Sequence, residues 1–418
     1  MFFLFSMRTL VGALVILAFG AANAAEVLTL ESVQAAALKS QPLLESQQAT
    51  VDAQRERAIA AEQLPDPELG VGINELPVNT ADAWSFDRDS DTDVMVSFAQ
   101  SFSVGSKRRL RRLREERTTE AAEAQLQDVE RIIRRDAGLA FAEVLMRERE
   151  SELIGEQLEQ AALQKRAAEI SVTTGAIPQS ELLASSTEES LLRDRLAEAR
   201  QMSTHARIEL ERWIGVSALQ PVDTTFRDVE LPPRLDEILA GLPNHPALQT
   251  IDRTRDAAQA GVDLAQQAGK PDWRLEIGYG YRPEFSEMIT VRATVGLPIF
   301  PGQRQDREKA AARSDFKAAG ATRANLQREF ESRAALAHHD FAQFSQRARS
   351  LEAQAMPSAR QREKSAEAAY SAGQGSLSEV LAARQARLDV ELRVLELDVN
   401  ALKRSIELAY FVNRGAQP

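Results

Sequence analysis

A strict alternation of side chains between Trp273 and Ile299 limits this chain more than any other feature does. From 273 to 282, apolar or aromatic residues occupy every second position, and charged or small residues lie between them. The pattern breaks at 283–287 and resumes from 288 to 299. A period of two predicts β-strands with one apolar and one polar face. Two such strands of about ten residues are long enough to cross a bilayer when tilted.

Residues 69–73 and 94–104 alternate in the same way, so we expect strand pairs at 67–104 and 272–299. A soluble sheet with one wet face would alternate likewise, and the strands alone leave both readings open. In lipid, however, free strand edges lack hydrogen-bond partners, and membrane barrels need at least about eight strands. Several copies would then share one barrel. Two copies supply about eight strands, whose side chains fill the interior, and three supply about twelve, which leave a passage.

Two very long helices are expected to follow the strand pairs. Residues 107–172 contain no proline, and apolar residues recur every three or four positions. At about 1.5 Å per residue, this helix would be about 100 Å long. Residues 302–372 predict a second long helix, with a kink at Pro357. Glycines end both long helices, and a helix that runs back along the long one is expected after each of them, over 178–214 and 376–414. We call these two the return helices.

The plan of the chain repeats. Glu169 and Gly175 lie 198 positions before Glu367 and Gly373, at the turns that follow the two long helices. A period near 200 indicates a duplication rather than a solenoid. In each copy, a short helix and the return helix together match the length of the long helix. We therefore expect the shorter two to stack end to end beside the long one. The copies are expected to span 25–220 and 221–418.

The N-terminus and the composition bound the compartment and the partners. Residues 1–24 read as a secretory signal peptide, with Arg8, an apolar run at 10–19 and the cleavage site Ala22-Asn23-Ala24. A membrane anchor is the alternative, but the apolar run is short. The chain has no cysteine, which excludes disulfides and a lipid anchor on cysteine. A net charge of -11 argues against a nucleic-acid partner.

No pattern predicts an enzyme, a cofactor or a bound metal ion. A nucleophile elbow, a Walker loop and a paired-histidine zinc motif are all missing from the sequence. The acidic loop at 87–93 lacks the glycine and glutamate that an EF-hand loop requires. The adjacent His338 and His339 would point about 100° apart on a helix.

The chain as a whole resembles the outer-membrane efflux protein family (TolC-like). The resemblance rests on the duplication, the two strand pairs, the two long helices, and a turn motif that runs from Gly175 to Ala184 and again from Gly373 to Ala382. It implies a mainly α fold with a small β part. Three copies would form a twelve-stranded barrel in outer-membrane lipid, continued by a periplasmic helical barrel. A periplasmic adaptor and an inner-membrane transporter of the RND type would complete a tripartite pump.

The resemblance also implies a function, a passive exit duct. Segments 64–69 and 103–108 look most like the heavy-metal cation branch (CzcC- or CusC-like), so metal cations are the expected cargo. Multidrug or organic-solute efflux and type I secretion are alternatives. A function of another class is a periplasmic coiled-coil scaffold or adaptor without a pore. Adaptors usually have one helical hairpin and no duplicated amphipathic strands.

Three sets of residues follow as site expectations. The resemblance places a periplasmic gate at Tyr370, Glu379 and Glu181, and Gly375 replaces a basic residue of the best-known members. The turns are expected to contact the adaptor through Gly175, Ile177, Pro178, Gln179, Ser180, Gly373, Gln374, Gly375, Ser376, Leu377 and Ser378. The strand alternation places on the lipid face Val94, Phe98, Leu275, Ile277, Val291 and Val295.

Overall fold

The computed structural model describes residues 27–223 and 231–412, which are mainly helical with one small antiparallel sheet. The expected signal peptide, 1–24, lies outside the described residues, as does part of the linker between the copies. The helices are α1 Leu30–Ser40, α2 Pro42–Glu62, α3 Gly105–Thr173, α4 Gln179–Ile214, α5 Leu235–Gly241, α6 Pro246–Gln266, α7 Gln305–Ser350, α8 Met356–Ser371 and α9 Leu377–Phe411. The strands are β1 Glu68–Asn74, β2 Asp93–Phe102, β3 Trp273–Tyr281 and β4 Met288–Val295.

The strands form one sheet in the order β1-β2-β3-β4, so the two strand pairs join through β2 and β3. Phe98 lies opposite both Leu69 and Ile277, which places the apolar side chains of neighbouring strands on one face. β2 and β4 end earlier than the alternation predicts. Trp273, the first residue of β3, pairs with the last residue of each of them, so the ladder stops there.

Each copy forms a rod in which two shorter helices lie along one long helix. α2 and α4 both pack on α3, which has 69 residues. Their ends meet where the Gln41 amide donates to the Trp213 carbonyl at 3.0 Å. In the second copy, α6 and α9 pack on α7, and His245 contacts the Tyr410 carbonyl at 3.0 Å. The expected end-to-end stacking is confirmed, whereas the short helix α5 was not predicted.

The second long helix contains a π-helical turn at Leu351–Ala355, directly before α8. A π turn accommodates one residue more than the α-helix around it. Before this turn, corresponding residues of the two copies lie 197 positions apart, as the buried Ile133 and Phe330 do. Beyond it they lie 198 positions apart, as Gly175 and Gly373 do. The extra residue accounts for the difference. The kink expected at Pro357 stays a prediction, and the irregularity in the helix ends two residues before that proline.

The core lies where the two rods meet, because α3 packs against both α6 and α9. Gly138 permits the closest approach, since a Cβ there would lie 3.1 Å from Leu30 and 3.2 Å from Ile406. The main buried cluster joins α1, α3, α4 and α9 and includes Val33, Ile133, Ala137, Val144, Leu210 and Ile406. Among the described helices, none has the length and apolar content needed to span a membrane.

Candidate functional site

One face of the sheet is apolar and open to solvent in the protomer. Most of its large apolar side chains are between 43% and 74% exposed. They are Leu69, Val71, Ile73, Val96, Phe98, Trp273, Ile277, Tyr279, Tyr281, Ile289, Val291 and Val295. A monomeric soluble protein rarely leaves so large an apolar patch uncovered. This face needs an apolar environment or a partner.

All six residues expected on the lipid side lie on this face. Phe98, Ile277, Val291 and Val295 are exposed there, while Val94 and Leu275 share the face and are half-buried.

Aromatic side chains lie at both ends of this face. Phe102 and Trp273 stack with ring centroids 4.3 Å apart at one end, and Tyr279 and Tyr281 lie at the other. The distance along β3 from Trp273 to Tyr281 is about 26 Å at 3.3 Å per residue. A strand tilted by about 35–45°, as in membrane barrels, covers about 20 Å of height over that distance, and the apolar band between the two aromatic girdles of such barrels is about 25 Å tall. The face therefore has the pattern of a membrane-facing band and nearly its height.

The opposite face of the sheet is polar. Arg274 lies 2.8 Å from Glu68, across the intervening strand β2, and Arg292 lies 3.8 Å from Glu276 on the neighbouring strand. Pairing opposite charges across strands stabilises the sheet modestly and suits a surface in contact with water.

Glycines of β3 leave room on this polar face for side chains of β2. The Met95 side chain lies over Gly278, where its Sδ is 2.9 Å from the position of an added Cβ. The Asp93 carboxylate lies over Gly280, with an oxygen 2.1 Å from such a Cβ. These two side chains of β2 therefore lie across β3 instead of projecting away from the sheet.

Both turns between the long and return helices have one geometry. Gly175 and Gly373 have φ values of 75° and 72°, in the left-handed region that favours glycine. The next amides, of Ala176 and Gln374, donate back into the helix at 2.9 Å. These are Schellman motifs, which satisfy the free carbonyls at a helix end. We name the two turns, 173–181 and 371–379, the helical tips.

The tips expose most of the residues expected to contact an adaptor. Gly175, Pro178, Gln179, Ser180, Gly373, Gln374 and Ser378 are exposed, while Ile177, Gly375 and Ser376 are half-buried. Leu377 is an exception, because its side chain is 0% exposed and packs inside its own protomer. It anchors the tip and offers no surface to a partner.

Gly375 is held by close packing. A Cβ there would lie 3.1 Å from the Ala369 Cβ and 3.2 Å from the Tyr370 nitrogen. A residue with a side chain at this position would require its neighbours to move by a few tenths of an ångström.

Glu379 caps a helix. Its carboxylate accepts the Ser376 N–H at 3.1 Å, and the Ser376 hydroxyl accepts the Glu379 N–H at 3.3 Å. This reciprocal capping box satisfies donors at the start of α9.

Tyr370 and Glu181, the other two residues expected at the gate, lie near the end of α8 and near the start of α4. Tyr370 is half-buried, and its pKa is raised first by burial and then by the negative charge of Glu181. One carboxylate oxygen of Glu181 is buried and has no hydrogen-bond partner within the described residues. Tyr370, next to the second tip, thus lies within electrostatic range of a carboxylate of the first tip.

His245 is a structural residue that sequence reasoning missed. It is fully buried, and its Nδ1 accepts the Ala247 N–H at 3.2 Å. The other ring nitrogen must therefore carry the proton that it donates to the Tyr410 carbonyl. Burial lowers the pKa of His245 to about 4, so the ring is neutral. The available signal was its place before Pro246, which matches Gln41 before Pro42.

A second buried contact supports this junction. The Tyr410 hydroxyl donates to Asp128 at 2.9 Å, and the Arg135 guanidinium lies 4.9 Å from the Tyr410 ring centre. In the part of the chain that the structure describes, no group of three or more histidine, cysteine or acidic side chains could hold a metal ion.

Comparison with known proteins identifies the fold. No protein-family model and no curated protein sequence matches the chain. Among solved structures, CusC, whose study concerns transmembrane channel formation, matches with a TM-score of 0.76 and 16% identity over 91% of each chain. The Campylobacter jejuni CmeC outer membrane channel matches with a TM-score of 0.78 and 14% identity, over 91% of this chain and 85% of that one. The open Neisseria gonorrhoeae MtrE outer membrane channel matches with 0.75 and 16%, over 91% and 88%. The chain has the fold of these channels.

Proposed function

We propose that this chain is the outer-membrane exit duct of a tripartite efflux system and that three copies share one barrel. The observation that carries the proposal is the sheet, which combines an exposed apolar face with two free edges, β1 and β4. Lipid would cover the face. A neighbouring copy would pair each edge, because open sheet edges do not occur in lipid. Three copies provide about twelve strands, enough to leave a water-filled passage.

The duct would be passive and would span the periplasm with its helices. The tips lie at the far end of α3 from the sheet, about 100 Å away at 1.5 Å per residue. With the sheet in the outer membrane, the tips would face the cell interior. There a periplasmic adaptor would dock on their exposed residues, and an inner-membrane RND transporter would supply the substrate.

The gate would lie at the tips, because a duct must be closed when no pump is attached. We place Tyr370 and Glu181 at the closure, since each lies at or next to a tip and the charge of Glu181 raises the pKa of Tyr370. Glu379, which caps α9, would add a second acidic residue per copy to this closure. Threefold repetition of these acids would favour cations.

Heavy-metal cations are the proposed cargo. Segments 64–69 and 103–108 favour this choice over organic solutes or secreted proteins. A scaffold without a pore is the alternative of another class. It would leave the apolar face of the sheet without a role.

The proposal is tested by membrane fractionation followed by native mass spectrometry in detergent. We expect the chain in the outer-membrane fraction as a trimer that dissociates on heating. A monomer, or recovery in the soluble periplasmic fraction, would contradict the proposal.

The adaptor contact has its own test. Photo-crosslinking residues at the exposed Gln179 and Gln374 should capture an adaptor in cells. Gln127, an exposed residue of α3 far from the tips, provides the matched control. Capture from position 127 alone would place the interface on the shaft of the rod.

A further inference from the structure

An ion pair between a buried lysine and an exposed aspartate fastens α3 to the start of β3 within the protomer. Lys107 is 7% exposed, and its Nζ lies 3.0 Å from an Asp272 oxygen and donates to the Lys270 carbonyl at 2.6 Å. Asp272 also accepts the Val104 N–H at 3.2 Å. Because Val104 follows β2 and Asp272 precedes β3, these contacts hold the exit of one strand beside the entry of the next.

Because of the duplication, Lys107 and Asp272 each have a counterpart of the same charge in the other copy. Asp66, in Leu64-Pro65-Asp66, corresponds to Asp272 in Lys270-Pro271-Asp272. Arg304 corresponds to Lys107, since Gly302-Gln303-Arg304 aligns with Gly105-Ser106-Lys107 at the 197-residue spacing that relates the long helices before the π turn.

These two residues do not pair within one protomer. Asp66 is exposed, and no ion pair to it is found within residues 27–223 and 231–412. The Arg304 side chain is 80% exposed, and its ion pair in those residues is with its own Glu308 at 3.6 Å. Asp66 precedes the edge strand β1, and Arg304 follows the opposite edge strand β4. Two strands lie between them.

We infer that Asp66 of one copy and Arg304 of the next form an ion pair between protomers, as the counterpart of Lys107 with Asp272. The inference rests on the proposed function, because it requires β4 of one copy to lie beside β1 of another. If β4 and β1 meet as β2 and β3 do, strand exit and strand entry again lie side by side. The partner that this surface fits is a second copy of this chain.

The proposed pair of Arg304 with Asp66 would lack one backbone hydrogen bond that the pair of Lys107 with Asp272 has, and the residue types compensate for it. Pro301 corresponds to Val104 and has no N–H to offer the carboxylate. The guanidinium of Arg304 carries five donors, against three on the Lys107 ammonium. It can therefore bind both carboxylate oxygens of Asp66 and the Leu64 carbonyl, the counterpart of the Lys270 carbonyl.

A charge swap tests the inference. Asp66→Lys and Arg304→Glu should each lower the temperature at which the trimer dissociates in detergent, by several degrees. The double variant should recover most of that loss, since the pair is restored in reverse. Asp91→Lys, the same charge change on an exposed aspartate of the loop after β1, should leave the temperature unchanged. Circular dichroism of each variant reports whether the protomer folds.

Cross-linking gives a second readout that does not depend on stability. Because the chain has no cysteine, Asp66→Cys with Arg304→Cys adds the only two thiols. A short bis-maleimide should then link copies into dimers and closed trimers, and neither single variant should do so. This inference is overturned if the protein is a trimer but the two cysteines do not cross-link and the charge swap does not restore the dissociation temperature. The proposed function would then still stand. A monomeric wild-type protein overturns both.

Discussion

His245 shows how one residue fixes a junction in this chain. Its neutral ring joins the start of α6 to the end of α9, as the Gln41 amide joins α2 to α4 in the first copy. The sequence did not reveal this role, because histidines were weighed as metal ligands and the acceptor is a backbone carbonyl 165 positions away. Contacts of that kind depend on the packing of the rods, which local patterns do not specify.

The junction predicts a pH dependence of stability. The pKa of His245 in the folded state, about 4, lies below its ordinary value of 6.5, so folding favours the neutral ring. Its stabilisation is complete above pH 6.5 and is lost as the pH falls towards 4. Between pH 7 and 5 the loss is about 2 kcal/mol. The pKa of Asp128 is raised by burial, which acts in the opposite direction.

Comparison with a variant isolates the contribution of the histidine. His245→Gln places at this junction the amide that position 41 already uses, and it cannot titrate. Thermal unfolding followed by circular dichroism should show a smaller fall in midpoint from pH 7 to pH 5 than the wild type shows. An equal fall in both proteins would assign the acid sensitivity to other groups.

The alternation of side chains, by contrast, predicted the faces of the sheet correctly because a period of two leaves little choice. Val291 and Thr290 are neighbours on β4 that point to opposite faces. An arginine at the lipid midplane costs about 2–4 kcal/mol, whereas one in a wet lumen costs little. Val291→Arg should therefore reduce the yield of folded trimer far more than Thr290→Arg. Equal yields on a native gel would contradict the assignment of the apolar face to lipid.

Among the elements, the long helices were predicted to within a few residues, because proline and glycine bound them in the sequence. The π turn at Leu351–Ala355 was visible only as a change of the repeat spacing from 197 to 198. α5 was missed, since a helix of seven residues offers too few positions to show a period. The apolar contacts that make it a helix come from α7.

The π turn predicts different tolerance to deletion in the two copies. Removing Ala353 takes away the extra residue and should leave a continuous α-helix whose buried face stays in register. Removing Glu156, its counterpart in α3, turns every later residue of that helix by about 100°. Buried side chains such as Ala161 would then leave the core. We expect the trimer to remain heat-stable without Ala353 and to be lost without Glu156. Loss of the trimer in both deletion variants would show that the two helices tolerate a deletion equally poorly.

At the scale of the whole molecule, sequence and structure together describe a protomer that is incomplete by itself. The sequence predicted the strands, the rods and the tips, and the structure joined the strands into a sheet with two free edges. The electrostatic interaction of Tyr370 with Glu181 could not be read from the sequence, because it depends on how the two tips pack. The apolar face, the two free edges, and the charges of Asp66 and Arg304, which do not pair with each other within the described residues, all point to further copies in a membrane.

The conductance of single trimers in a planar lipid bilayer tests the central claim most directly. We expect the wild-type trimer to insert and give small, discrete, cation-selective currents, because the tips close the duct. Tyr370→Ala should raise the mean conductance several-fold, while Tyr410→Phe, which changes a buried tyrosine in the core, should leave it unchanged. Intact trimers that insert but pass no current, with or without Tyr370, would contradict the account of this chain as an exit duct.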